Sequence, residues 1–308
     1  MYRNYFGLSS LPFKTTPDPE FFYQKGSRQD TLNALYYAIG RGDAILKVVG
    51  EVGCGKTMLL RLLASKLSVE NTCYTLIYIN SPNLSSKDIL LYIASELGLL
   101  VADSAQKFVI LNLIKMHILS IYAAGGRVVM LVDEAQTMTL DGLEEIRLLS
   151  NFETDEDKLL QIVLFGQPEL DVALENAHIR QLKSRISYSL YIPAFTVAEV
   201  QAYLNFRLRK AHYAGLDLFN LSVSRRIFKL THGLPRDINI LADKLLMAAY
   251  GANDTVVKHS HFKSVSDASI SKRFVIGISA AFLILLLTVT FFSLKHFLII
   301  NHQAWWIR

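Results

Sequence analysis

Cysteine is scarce in this 308-residue sequence, which holds only Cys54 and Cys73. Two thiols, neither at metal-ligand spacing, exclude a disulfide-stapled domain and a cysteine-held metal centre, and they suit a reducing compartment. A cleavable leader is not expected either. MYRNYFGLSSLPF has no basic start, apolar run and small-residue cleavage site, so the chain is expected to begin in the cytosol. Internal repeats and low-complexity tracts are absent. Charge of one sign is not in large excess either: 32 basic against 27 acidic residues leave +5, too mild to mark a nucleic-acid partner. Charge is missing altogether from residues 274–294, FVIGISAAFLILLLTVTFFSL, a run long enough to cross a bilayer as a helix.

What is present alternates in character. Five apolar, β-branched runs (residues 44–49, 75–80, 128–133, 161–165 and 188–192) read as strands, mostly unbroken as in a parallel sheet buried on both faces. Between them residues 57–67, 86–97, 105–123, 140–151 and 168–175 carry helical spacing, which predicts a three-layer α/β fold. After Pro193 the strands stop. Residues 197–213, 221–231 and 235–250 read as three helices, the last opened by a proline suited to a first turn. The expected organisation is therefore an α/β core over 1–192, a helical lid over 193–252, a polar linker over 253–273, a membrane helix over 274–294 and a short tail over 295–308.

Gly50-Glu51-Val52-Gly53-Cys54-Gly55-Lys56-Thr57 satisfies GxxxxGK[ST] at every fixed position, between the strand AILKVV and the helix MLLRLLASKL that opens with Met58. Glycines let backbone N–H groups curl around phosphate oxygens, and the following helix start adds favourable dipole charge. Lys56 is suited to the β- and γ-phosphates of ATP and the Thr57 hydroxyl to Mg²⁺. A second motif, VVMLVDE, ends a strand on two acids. Asp133 is placed to hold Mg²⁺ and Glu134 to act as general base on water; a helix cap is the plainer alternative for such acids. Gln167 ends the strand IVLFG and is expected beside the γ-phosphate. Arg185 before the fifth strand, or failing it Arg180, would complete a neighbouring subunit's site as an arginine finger. Arg236, in GLPRDIN, would reach back from the lid.

Taken together, FGLSSLPF, PDPEFFY, VGEVGCGKT, VDEAQ, LLQIVLFGQPELD, IRQLKSRI and GLPRDINIL resemble the AAA+ ATPases of the ExeA/GspA/MshM group, over residues 5 to about 250. These are inner-membrane-associated ATPases of type II secretion and MSHA-type pilus assembly, and the strings lean toward the pilus branch. The resemblance implies a P-loop AAA+ core with a five-stranded parallel sheet in the order 5-1-4-3-2, a small α-helical lid and a C-terminal transmembrane helix. It assigns Gln167 to sensor 1, Arg236 to sensor 2 and Arg185 to the finger. Cys54 departs from the small hydroxyl residue usual in the group.

The implied protein is a homo-oligomer of the bacterial inner membrane, with its ATPase in the cytoplasm, pilus or secretion proteins as partners and no nucleic acid expected. Lys258, Lys263, Lys272 and Arg273 against Lys295 and Arg308 agree with that orientation. Two other classes stay open: a DNA-handling ATPase of the transposition or initiator type, and an ATP-switched scaffold without significant turnover.

Overall fold

The computed structural model describes residues 2–70 and 73–265. They fall into two compact units, Arg3–Asp243 and a second that starts at Lys244 and takes in Tyr2. In chain order the elements are α1 (Tyr2–Tyr5), α2 (Ser27–Arg41), β1 (Ile45–Gly50), α3 (Lys56–Glu70), β2 (Tyr74–Ile79), α4 (Ser86–Glu96), α5 (Lys107–Ala123) and β3 (Arg127–Val132). Then follow α6 (Leu140–Leu149), β4 (Leu160–Gly166), α7 (Glu169–Leu174), α8 (Arg180–Lys183), β5 (Ile186–Ile192), α9 (Val197–Lys210), α10 (Leu221–Thr231) and α11 (Pro235–Gly251).

The strands form one parallel sheet in the order β2-β3-β4-β1-β5, the expected order read from its other edge. All seven residues of β4 are buried, which explains why its sequence shows no alternation. The period of two is nevertheless present in what each side chain meets. Ile45, Val128, Met130, Val132, Ile162 and Leu164 pack with α4, α5 and α6 in one core. Leu46, Val48, Val129, Leu131, Val163 and Phe165 pack with α2 and α3 in the other. Each such buried side chain stabilises the fold by roughly 1.5–3 kcal/mol, so the two layers fix where the strands end. From β1 the chain passes into α3 on one face, and from β4 into α7 on the opposite face. Adjacent strands that diverge in this way open a crevice at their carboxyl ends.

Helix α2 is not among the expected elements. Its apolar stripe of Leu32, Leu35, Ala38 and Ile39 has helical spacing, but Gly26 precedes it and no side chain caps it. The usual start signal is missing. In contrast α9 opens with a full capping box, Thr196 with Glu199, and α10 with Asn220. Gly233 fixes the start of α11. Its φ is +76°, and an added Cβ would lie 2.1 Å from the Phe195 carbonyl oxygen, so only glycine fits. In the second unit the Asp254 carboxylate bonds the His261 ring at 3.0 Å and pairs with Lys258.

One expected element is corrected. No helix among the described residues is long and apolar enough to cross a membrane. The longest, α5 and α11, have 17 residues each, about 26 Å at 1.5 Å per residue against a hydrocarbon core of about 30 Å. The transmembrane helix expected over 274–294 lies outside the described residues, so the architecture stands without it. The single-pass inner-membrane placement built on that helix is withdrawn with it.

Candidate functional site

The loop between β1 and α3 is shaped by its glycines. Gly53 and Gly55 have φ of +79° and +103°, conformations that cost a side-chain-bearing residue strain. Lys56 is 6% exposed, and its ammonium is held inside the turn, donating to the Gly50 carbonyl at 2.7 Å and the Glu51 carbonyl at 3.1 Å. Cys54 is buried beneath the loop, and burial pushes its thiol up from the ordinary value. Glu51 and Val52 are exposed, while Thr57 and Met58 open α3 at the rim.

Thr57 Oγ1 donates to Asp133 Oδ2 at 2.7 Å, a contact between residues 76 apart in sequence. Asp133 is 4% exposed at the carboxyl end of β3. Burial holds its carboxyl above the usual range, partly opposed by the Thr57 hydroxyl and the Glu134 N–H. Two hard oxygens on adjacent elements, one of them a buried carboxylate, are the donor chemistry that Mg²⁺ takes. Glu134 adopts φ 53°, ψ 36°, a left-handed conformation costing about 1–3 kcal/mol unless its surroundings fix it. Its N–H donates to Asp133 Oδ1 at 2.9 Å, and its carboxylate accepts from the side-chain amides of Gln167, at 3.0 Å, and Gln136.

Lys56, Thr57, Glu134 and Gln167 line one cavity of about 310 Å³. Residues 52–58 with Glu134 and Gln167 form one wall, residues 14–18 and 21–23 a second, and Phe195, Tyr203, Arg207, Arg236 and Asn239 a third. The Arg236 backbone N–H donates to the Gly53 carbonyl at 3.2 Å. An added Cβ on Gly53 would lie 2.8 Å from Arg236 Cβ, so the lid rests directly on the loop.

Two buried arginines at this cavity escape sequence reasoning. Arg28, on α2, donates to the Cys54 and Pro193 carbonyls, both at 3.2 Å, and lies 3.8 Å over the Phe195 ring. Arg207, on α9, donates to the carbonyls of Pro12, Lys14 and Phe21, pinning the N-terminal segment to the cavity wall. Burial lowers the pKa of both guanidinium groups. Their bonds run to carbonyls far along the chain, for which sequence spacing carries no signal. Gln136 was visible only as the last letter of VDEAQ.

Of the expected site residues, the structure brings Gly50, Gly53, Cys54, Gly55, Lys56, Thr57, Asp133, Glu134, Gln167 and Arg236 to this end of the sheet. It does not bring Arg185. That guanidinium donates to Ser150 Oγ at 3.1 Å and lies with Lys158 and Asp43 at the amino ends of β5, β4 and β1. Arg180 is exposed on α8.

A family model described as an AAA domain matches residues 39–174. General secretion pathway protein A of Aeromonas hydrophila is 38% identical over 259 residues, which span 84% of this chain and 47% of that protein. The chain thus covers about half the length of that relative. Among solved structures, the Aeropyrum pernix ORC2 protein in its ADPNP–ADP complexes superposes with a TM-score of 0.60 at 16% identity, covering 84% of this chain and 72% of that one. The Aeropyrum pernix ORC1 protein in complex with DNA gives 0.61 at 18% identity, covering 84% and 69%. At such identities these two likenesses are of fold alone.

Proposed function

We propose that the chain is an AAA+ ATPase that binds ATP with Mg²⁺ at the carboxyl ends of β1, β3 and β4 and hydrolyses it to ADP and phosphate. The observation that carries this reading is the 2.7 Å bond between Thr57 and Asp133, which joins the two motifs into one site. The AAA domain match supports it. Backbone N–H groups of the loop and the start of α3 receive the phosphates. Lys56 spends two of its three donors on loop carbonyls and keeps the third for a phosphate oxygen. Thr57 and Asp133 would hold Mg²⁺, which when bound offsets charge on the β- and γ-phosphates. Glu134 takes the proton of the attacking water, Gln167 orients the base and the γ-phosphate region, and Arg236 couples the lid to the loop. Arg185 serves the site of a second copy, which its remote position favours.

Similarity to General secretion pathway protein A favours a homo-oligomer that couples ATP turnover to secretion machinery; pilus machinery is the alternative that the motif strings suggest. The test is steady-state phosphate release with equilibrium ATP binding. Glu134→Gln should keep ATP affinity within about 3-fold and lose turnover by about 10²–10⁴-fold; unchanged turnover would refute the assignment, and no turnover in the wild type would favour an ATP-switched scaffold.

A second reading is a DNA-handling ATPase. It draws support from the fold likeness to a protein solved in complex with DNA and from Arg209 and Lys210 at the end of α9. A duplex-DNA shift that weakens steeply with salt would favour it; no binding at low salt would end it.

A further inference from the structure

Besides its backbone bonds, the turn after β3 is held by two bonds that involve neighbouring side chains: the Glu134 N–H to Asp133 Oδ1 at 2.9 Å, and the Thr137 hydroxyl to the Glu134 carbonyl at 2.8 Å. The side chain of Gln136 adds a third tie of a different kind. Its Nε2 donates to Glu134 Oε2, and its Oε1 accepts the backbone N–H of Gln167 at 3.0 Å. Gln167 Nε2 then donates to the same Glu134 Oε2 at 3.0 Å. One amide group thereby uses both ends to join the acid after β3 to the last turn of β4.

The distribution of donors on the carboxylate matters. A carboxylate offers two oxygens with about four acceptor sites. Both amides converge on Oε2, and no described residue donates to Oε1. We propose that Gln136 is a positioning residue for hydrolysis: it clamps one oxygen of Glu134 against the end of β4 and so aims the other at the attacking water. The proposal rests on the reading of Glu134 as general base. Gln136 itself touches no reacting atom. Its contribution is to keep a glutamate on a left-handed backbone in the orientation that proton abstraction requires, and small misplacements of such groups are costly in rate.

Two substitutions separate positioning from simple bracing. Gln136→Ala removes both ends of the amide. Gln136→Glu keeps the acceptor for the Gln167 N–H but sets a carboxylate oxygen where the donor to Glu134 stood, so a mere brace survives and the clamp does not. Phosphate release by the full chain is measured across ATP concentrations, normalised to the number of sites that bind a fluorescent ATP analogue. Both variants should lose about 10- to 100-fold in kcat with KM within about 2-fold, Gln136→Glu losing more through like-charge repulsion.

A kcat per site within about 2-fold of wild type for Gln136→Glu would overturn the proposal, as would loss confined to the fraction of sites that bind ATP. Failure of the underlying reading looks different. In that case Glu134→Gln itself turns over like wild type, and Gln136 has no base to position.

Discussion

At the carboxyl end of the sheet, polar side chains bond to one another, Thr57 to Asp133 and Gln167 to Glu134 across long stretches of sequence and Gln136 to Glu134 locally. At the amino end of the same sheet, side chains instead reach backbone carbonyls, Arg127 that of Gly40 and Gln161 that of Ile39, or pair with charged residues nearby in sequence. Arg41 pairs with Asp43 and Lys158 with Glu153, while Arg185 reaches Ser150. The carboxyl-end groups are largely buried, with Lys56, Asp133 and Arg28 at 6%, 4% and 3% exposure. Burying such groups is expensive unless each is bonded, so their concentration at one end marks where the fold spends stability on a site. The two ion pairs at the amino end each have one exposed partner, Arg41 and Glu153, and are worth little.

Breaking the tight end should have the largest effect. Gly53→Ala places a Cβ at φ +79° and 2.8 Å from Arg236 Cβ, so loop and lid cannot both keep their places. ATP affinity should fall by about 10- to 100-fold, from roughly 1–3 kcal/mol of strain, as measured by equilibrium binding. Burial gives a smaller contrast between the two thiols. Cys54, raised by burial, keeps its proton to higher pH than a thiol in water, whereas Cys73 is exposed. Alkylation at pH 8, followed by peptide mass spectrometry, should modify Cys54 at least about 10-fold more slowly than Cys73, and the lag should shrink as pH rises and thiolate forms. The smallest effect belongs to the loose end. At a protein concentration too low for copies to associate, Arg185→Ala should move ATP affinity by less than about 2-fold, because solvent screens a charge that far from the phosphates of its own chain. A larger loss would erase the distinction between the two ends.

Much of the carboxyl end was legible in the sequence because its parts are local. A strand, a glycine loop and a helix start follow one another over residues 44–67, and a buried strand ends on Asp133 and Glu134. Parallel packing does the remaining work by bringing strand ends together, which is how motifs 76 residues apart come into contact. The roles of Arg28, Arg207 and Gln136 at the site were not legible, since each is defined by partners that only the folded chain supplies. Helix α2 was missed for a local reason, the glycine where a capping side chain usually stands. The expected membrane helix lies over residues 274–294, outside the described residues, and no helix among the described residues is long and apolar enough to span a bilayer.

Lys56→Ala tests the account most directly, through phosphate release at saturating ATP and Mg²⁺. The cation that the loop encloses with two carbonyls is the one expected to meet the transferred phosphoryl group, so turnover should fall by at least about 100-fold. Turnover by Lys56→Ala at the wild-type rate would contradict the placement of the triphosphate at the carboxyl ends of β1 and β3.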